Sequence, residues 1–157
     1  DIMCLAKGIA GGVPMGVTLV RPDILAVMKK GEHSSTFGGN PLACAAGTAT
    51  LQALTQDGLV ENAKSVGEKF LLGLEDLKSK HKIIREVRGK GLMIGVELKF
   101  EVKDILMEGI KNGLLLLYSG RNILRFLPPL VISEDDVVKT LQILDELLTN
   151  EENRRNA

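Results

Sequence analysis

Three short stretches of this 157-residue chain carry side chains whose types and spacing could do chemistry. Lys7 stands between an apolar run and a glycine-rich turn, and a lysine amine in such a place can form a Schiff base with an aldehyde cofactor. Ser35 and Thr36 precede a double glycine and a helix start, a combination that can bind phosphate. Arg125 alternates with apolar residues on a predicted strand, where its planar guanidinium could clamp a carboxylate.

Each of these side chains also has an ordinary structural explanation. Lys7 could extend its amine into solvent over an apolar stem, and on residue types alone we favour that explanation. The Ser35-Thr36 pair could simply cap a helix, which is the commoner use of such residues. Arg125 could pair with a glutamate or lie exposed at an edge, and we give these explanations equal weight with carboxylate binding. Arg88 has the same ambiguity, and for it we favour a structural role.

The composition limits the classes of function that the chain can have. Lys and Arg number 20 against 20 Asp and Glu, so no net charge favours nucleic acid or an anionic membrane as partner. No apolar run approaches the roughly 20 residues that span a bilayer. Cys4 and Cys44 are expected to be buried free thiols, and neither they nor His33 and His81 have metal-ligand spacing. We expect a protein of the reducing cytoplasm, and no metal site.

The first half of the chain must position the lysine and the hydroxyl pair. An apolar strand is predicted before Lys7 and a second over 13–20, paired with it across the glycine-rich turn. Asn40 and Pro41 predict the start of a helix that runs to Gln56, with Asn as N-cap and Pro at the first helical position. Its many small residues indicate close packing against another element. A clean apolar stripe at three- and four-residue steps predicts a further helix over 59–80.

After Lys82 the apolar pattern changes from helical to strand spacing. Strands are predicted over 83–87 and 92–98 with a turn at 88–91, then a helix over 102–111 and strands over 114–118 and 123–126. Ser133 is expected to cap a last helix, and the polar residues 151–157 are expected to fray. The joint between the two parts is expected near residues 80–84.

The motifs taken together resemble a known family. Residues 5–16 (LAKGIAGGVPMG) look like the cofactor-lysine segment of class III aminotransferases, and residues 32–46 (EHSSTFGGNPLACAA) resemble their second signature. Residues 87–97 (VRGKGLMIGVE) and 122–132 (NILRFLPPLVI) resemble two further motifs in the same order. Within the class, the chain is most similar to the acetylornithine aminotransferase group. The residues of its motifs are most similar to those of archaeal members that act on carrier-protein-bound lysine or ornithine.

The resemblance implies a fold, a cofactor and a role for particular residues. The fold would be α/β, the C-terminal part of a fold-type I transferase dependent on pyridoxal phosphate. Residues 1–82 would end the large cofactor-binding domain with its connecting helices, and residues 83–157 would form the small C-terminal α/β domain. Lys7 would hold the cofactor covalently and act in catalysis. Ser35 and Thr36 would bind the cofactor phosphate of the neighbouring subunit, and Arg125 would bind the α-carboxylate of glutamate or 2-oxoglutarate.

The implied function is transfer of a terminal amino group from an acetylornithine-, ornithine- or lysine-type donor to 2-oxoglutarate, in arginine or lysine biosynthesis. A homodimer with a shared active site is implied, and a small acidic carrier protein is a possible further partner. The ring-stacking aromatic, the phosphate loop and the aspartate for the pyridine nitrogen have no match here, so we expect an N-terminal half to precede this chain and the chain alone to be inactive. Two alternatives stay open: a non-catalytic dimerisation or scaffold domain, and a racemase or aminomutase of the same class.

Overall fold

The contacts in the computed structural model, which describes residues 1–156, divide the chain into two compact units. The first unit spans Asp1–Gly58 and the second begins at Leu59. The predicted division into family domains at residues 82 and 83 stays a prediction.

The first unit combines a two-stranded antiparallel sheet with one long helix. Its elements are β1 (Ile2–Leu5), a 3₁₀ turn (Lys7–Ala10), β2 (Val17–Val20), the short helix α1 (Pro22–Leu25) and α2 (Pro41–Gln56). The pairing of β1 with β2 confirms the predicted hairpin. β2 begins later than predicted, after Pro14, which lacks the N–H that a strand ladder needs. The cap of α2 is confirmed, because the Asn40 side chain accepts a 2.9 Å hydrogen bond from the Ala43 N–H.

The strands of this unit are more exposed than their apolar sequence predicts. Ile2 and Met3 on β1 are 59% and 56% exposed, because α2 packs against the 3₁₀ turn and not across the strand pair. The cysteines are free, as expected, but the prediction that they are buried is wrong. Cys4 lies on the open strand pair, and Cys44 lies on an exposed part of α2.

The second unit is a four-stranded antiparallel sheet with three helices. Its elements are α3 (Leu59–Lys80), β3 (Ile84–Lys90), β4 (Met93–Leu98), α4 (Lys103–Lys111), β5 (Leu117–Ser119), β6 (Ile123–Phe126) and α5 (Glu134–Asn156). The strand order is β3-β4-β6-β5. The prediction of a turn over 88–91 is wrong, because β3 continues through Arg88 to Lys90 and the reversal is confined to Gly91 and Leu92.

One hydrophobic core joins the sheet to α3 and α5. The Phe70 ring on α3 meets the Phe126 ring on β6 edge-on, with centroids 5.2 Å apart. Other fully buried members of this core come from the sheet and from α5: Val96, Leu98, Leu124, Leu144 and Leu148. Strand β6 carries Leu124 and Phe126 on its core side, so packing fixes the strand that bears Arg125.

Helix α3 touches the β3–β4 turn with no room for a side chain between them. A Cβ built on Gly67 would overlap the carbonyl oxygen of Gly91 and lie 2.9 Å from its Cα. Gly91 itself has a φ of 56°, in the left-handed region that favours glycine. The hairpin is therefore held against α3 by backbone contact at two glycines.

The C-terminal residues are helical and are anchored by side-chain contacts. The prediction that residues 151–157 fray is therefore wrong for residues 151–156, and residue 157 lies outside the described residues. Helix α5 continues to Asn156. Glu151 is buried and accepts hydrogen bonds from Arg154 at 3.0 Å and from Arg155 at 2.6 Å. The Arg155 guanidinium also lies 3.4 Å from the centre of the Phe100 ring, which stabilises the helix end through a cation–π contact.

A buried histidine joins the end of α3 to α5. His81 is 5% exposed, and its Nε2 lies 2.6 Å from Asp145 Oδ1 while its Nδ1 lies 3.1 Å from Glu152 Oε2. The hydrogen bond from His81 is the largest influence on Asp145 and holds the pKa of that carboxyl below its usual range, against the opposing effect of burial.

We expect this contact to make the second unit sensitive to acid. Because the pKa of Asp145 is lower in the folded than in the unfolded chain, its stabilisation is present above the unfolded value and is lost as the pH falls through the folded one. Asp145→Asn should reduce the free energy of unfolding at pH 7 by about 1 kcal/mol, and it should lose less stability between pH 5 and pH 3 than the wild type does.

Urea unfolding followed by far-UV circular dichroism at several pH values measures this difference. Glu146→Gln is the matched control, since Glu146 is the next residue of α5, is exposed, and makes no ion pair with any residue in the described range 1–156. Equal acid sensitivity in Asp145→Asn and the wild type would contradict the assigned role.

Two kinds of feature are absent from the described residues. No helix within 1–156 is long and apolar enough to cross a membrane. Within the same range, no group of three or more His, Cys, Asp or Glu side chains is arranged to hold a metal ion.

Candidate functional site

Lys7 begins the 3₁₀ turn that follows β1, and its backbone is unusual. Its φ of 57° makes it the one residue other than glycine with positive φ among residues 1–156. A non-glycine residue in the left-handed region carries strain of about 1–3 kcal/mol. The side chain is exposed. Its amine makes no hydrogen bond and no ion pair with any residue in the range 1–156. The amine is therefore free for chemistry and is held on a strained turn.

The turn after Lys7 rests on a face of α2 built from small residues. Ala43, Gly47 and Thr50 follow one another at helical spacing on that face. A Cβ on Gly47 would lie 2.9 Å from the Met15 sulfur, and a Cβ on Gly11 would lie 3.4 Å from the Thr50 hydroxyl oxygen. Because the turn lies so close to this face of α2, only small residues fit there. The contact also fixes the turn that carries Lys7.

The Ser35-Thr36 loop lies beside the same turn. Ser35 and the α2 cap Asn40 border a cavity of about 370 Å³ together with Pro14, Met15 and Gly16, whereas Lys7 and Thr36 are outside its lining. Both hydroxyls are exposed, and neither makes a hydrogen bond to another residue in the part of the chain that the structure describes. The loop thus offers two free donors next to the start of a 16-residue helix.

These donors fit pyridoxal phosphate, the cofactor that the sequence motifs imply. A primary amine suits its aldehyde, and free hydroxyls near a helix N-terminus suit its phosphate. Among residues 8–16, the positions of Gly8, Gly12 and Gly16 are open, since no atom lies within 4 Å of a Cβ built on any of them. The first unit therefore has the right groups to hold this cofactor at Lys7 and at the hydroxyl loop.

Arg125 lies in the second unit, in the middle of the sheet. It pairs with Gly95 on β4 and with Leu117 on β5. Its side chain is half-buried, and its Nε is buried without a hydrogen-bond partner among residues 1–156. A buried donor without a partner is costly, by about 1–3 kcal/mol. No glutamate of the described range 1–156 pairs with Arg125, so within that range its guanidinium is available to an anion.

Arg88 has the structural pairing that the sequence favoured. Its Nη1 donates to Glu86 at 2.7 Å and to Glu97 at 3.1 Å. Glu97 also accepts from Arg85 at 2.8 Å and from Asn122 at 3.3 Å. The hydrogen bond from Arg88 is the main reason that the pKa of Glu97 lies below its usual range.

Sequence reasoning missed Glu97 as a member of this site. The signal was available in part, because Glu97 alternates with Gly95 and Met93 on one face of a strand whose other face is apolar. The partner residues could not be identified, since they depend on the register between β3 and β4. With that register, Arg88, Gly95 and Arg125 form one row across three strands.

The structure thus places the predicted residues in two separate units. Lys7 and the Ser35-Thr36 loop belong to the first unit, where both flank the glycine-rich turn. Arg125 belongs to the second unit, with Arg88 and Glu97 on the same sheet. Their roles as site residues stay predictions.

Comparison with known proteins gives consistent results. A family model described as aminotransferase class-III matches residues 1–148. Acetylornithine aminotransferase of Caldanaerobacter subterraneus subsp. tengcongensis is 49% identical over 150 residues, which are 95% of this chain and 38% of that protein. Ornithine aminotransferase 1 of Staphylococcus saprophyticus is 40% identical over 149 residues, 94% of this chain and 37% of that protein. The chain therefore spans less than two fifths of the length of these relatives.

Solved structures of aminotransferases are similar to this chain in both sequence and fold. Ornithine δ-aminotransferase of Plasmodium falciparum superposes with a TM-score of 0.92 at 35% identity, over 98% of this chain and 41% of that one. Acetylornithine aminotransferase of Elizabethkingia anophelis superposes with a TM-score of 0.89 at 35% identity, over 96% of this chain and 39% of that one.

Proposed function

Since this chain belongs to the class III aminotransferases, we propose that the protein containing it transfers a terminal amino group to 2-oxoglutarate. The donor would be of the acetylornithine, ornithine or lysine type. Similarity to acetylornithine and ornithine aminotransferases supports the first two donors. The proposal of a lysine-type donor rests on the resemblance of the motifs. The proposal of a donor held on a small acidic carrier protein rests on the same resemblance. The products would serve arginine or lysine biosynthesis.

The observation that carries the proposed acceptor is the unpaired guanidinium of Arg125. Each half-buried arginine needs an anion or a fixed dipole to offset its loss of water. Arg125 has neither within residues 1–156, whereas the neighbouring Arg88 has two carboxylates. The fork of a guanidinium matches a carboxylate with two parallel hydrogen bonds. Arg125 is therefore the group that would bind the α-carboxylate of 2-oxoglutarate or glutamate.

The first unit would supply the reacting group. When bound, pyridoxal phosphate supplies an electron sink for the carbon that bears the amino group. Lys7 would attach it through Nζ, and the hydroxyls of Ser35 and Thr36 would bind the phosphate of the cofactor held in a neighbouring subunit. Lys7 Nζ would also take the proton from the carbon that bears the transferred amino group and return it during the reaction. The turn sets the position from which the Lys7 side chain extends.

Two copies of the protein would form the active unit. The hydroxyl loop is exposed and its donors are free, which suits a phosphate bound in a neighbouring subunit. We therefore propose a homodimer in which Ser35 and Thr36 of one subunit serve the cofactor of the other. The cytoplasmic location also stays a prediction.

Steady-state kinetics of Arg125→Gln in the whole cofactor-loaded enzyme tests the proposed acceptor. The Michaelis constant for 2-oxoglutarate should rise about tenfold to a hundredfold, because hydrogen bonds to charged groups contribute about 1.5–3 kcal/mol. Arg121→Gln is the matched control, since Arg121 is an exposed arginine in the turn just before β6. An unchanged Michaelis constant in Arg125→Gln would show that this residue does not bind the acceptor.

A further inference from the structure

The sheet face that carries Arg125 holds a second arginine. Arg88 pairs with Gly95, and Gly95 pairs with Arg125, so the three residues share one face. Two strand spacings separate the arginines, a distance of about 10 Å between their backbones. Gly95 has no side chain to fill the gap, and a cavity of about 370 Å³ is lined by both arginines and by Lys90. Lys90 is exposed and forms no ion pair with residues 1–156, and its charge is the same in every variant considered below. The geometry alone would allow an anion to meet two guanidinium groups.

The charges on this face make the two arginines different. Arg88 is held by Glu86 and Glu97 through its Nη1, whereas Arg125 has no carboxylate partner among residues 1–156. Glu97 is the more enclosed of the two acids, with a side chain 16% exposed against 52% for Glu86. Asn122, just before β6, donates to Glu97 as well, which fixes the carboxylate against the sheet. The charge of Arg88 is therefore offset by a carboxylate that cannot easily move away.

We propose that Glu97 is a specificity-determining residue, which weakens the binding of a second carboxylate beside Arg125 by keeping Arg88 neutralised. The proposal rests on the function proposed for Arg125. Glu97 would act through Arg88 and would not touch the substrate, so it is a positioning residue. With Arg88 occupied, a ligand carboxylate finds one available guanidinium, at Arg125. Without Glu97, a dicarboxylate could engage both arginines across Gly95 and bind in an orientation that leads to no reaction.

The size of the effect follows from Coulomb's law. One unit charge at about 10 Å changes the binding of a carboxylate roughly two- to tenfold at the effective dielectric constants of a partly exposed protein surface. Arg88 and Glu97 should then act in opposite directions. Removing Glu97 leaves an extra positive charge in the pocket, whereas removing Arg88 leaves an extra negative charge. A pair that serves only to stabilise the sheet would change binding in the same direction in both variants.

The test uses the whole cofactor-loaded aminotransferase and succinate, a dicarboxylate that has no keto group to accept an amino group. The inhibition constant of succinate is measured for wild type, Glu97→Gln, Arg88→Gln and the double variant. We expect it to fall roughly two- to tenfold in Glu97→Gln, to rise in Arg88→Gln, and to return to within about twofold of wild type in the double variant. The inhibition constant of acetate, which has one carboxylate, should change less than that of succinate in Glu97→Gln.

Glu86→Gln keeps the test informative if Glu97→Gln folds poorly. Glu86 is exposed and pairs with Arg88, as Glu97 does. Glu86→Gln should therefore also lower the inhibition constant of succinate, by a smaller factor than Glu97→Gln does. The proposal is overturned if the carboxylate variants and Arg88→Gln all weaken succinate binding, or if none changes it. Arg125→Gln is the separate arm: if that variant binds succinate and 2-oxoglutarate as the wild type does, the proposed role of Arg125 is wrong, whatever Glu97 does.

Discussion

Replacing Lys7 by alanine is expected to lower the turnover of the cofactor-loaded enzyme by about 10²- to 10⁴-fold, the range that a positioned acid–base group contributes. The loss follows because Lys7 Nζ would both attach the cofactor and move the proton. Alanine keeps the same backbone strain, so the change is confined to the side chain. Initial rates with N-acetylornithine and with ornithine as donors measure the loss.

Covalent attachment gives a second measurement of the same variant. Borohydride reduction of the loaded wild type, followed by mass spectrometry of its peptides, should place the cofactor on the peptide that contains Lys7. Lys29→Ala is the control, because Lys29 is another exposed lysine of the first unit and lies in a loop. If Lys7→Ala keeps a reducible adduct at wild-type yield, another lysine holds the cofactor and the assignment is wrong.

Gly67→Ala is expected to destabilise the second unit by about 1–3 kcal/mol, the usual range for overpacking a tight contact. The added methyl group would overlap the Gly91 carbonyl oxygen, and that oxygen belongs to a turn whose backbone cannot rotate away without disturbing β3 and β4. Alanine is the better helix former by about 1 kcal/mol, so the measured loss is a lower limit for the clash. Urea unfolding followed by circular dichroism measures it.

Gly73→Ala is the matched control on the same helix. The three atoms nearest to a Cβ built there all belong to the Leu141 side chain, which can change rotamer. Its effect should stay within about 1 kcal/mol of zero, because the gain in helix propensity offsets the repacking. Equal losses in Gly67→Ala and Gly73→Ala would mean that backbone contact with the turn does not hold the hairpin.

Most elements of the fold could be predicted from local signals. The bounds of α3 follow from its apolar stripe and from the Asp57-Gly58 break before it, and the structure has the helix over Leu59–Lys80 as predicted. The start of α2 follows from Asn40 and Pro41. The motifs identified the family as well, and similarity to solved aminotransferases confirms the predicted α/β class of fold type I. These features depend on neighbouring residues, which a sequence displays directly.

The parts that could not be predicted depend on distant residues. Arg88 was assigned to a turn because it is followed by two glycines, yet pairing with Gly95 keeps it in β3. The exposed cysteines and the open strand β1 depend on what packs across them, which an apolar pattern does not reveal. The helical end of α5 depends on Glu151 and Phe100 meeting two arginines. The charge pairing around Glu97 likewise needed the sheet register.

The left-handed backbone of Lys7 has a consequence for selection experiments. Glycine adopts a φ near 57° without strain, and asparagine does so more readily than lysine. Lys7→Gly and Lys7→Asn should therefore relieve strain while removing the amine. Directed evolution for heat resistance alone would favour such replacements and enrich variants that lack the proposed cofactor lysine. Thermostabilised libraries of this enzyme should accordingly be screened for turnover in the same round.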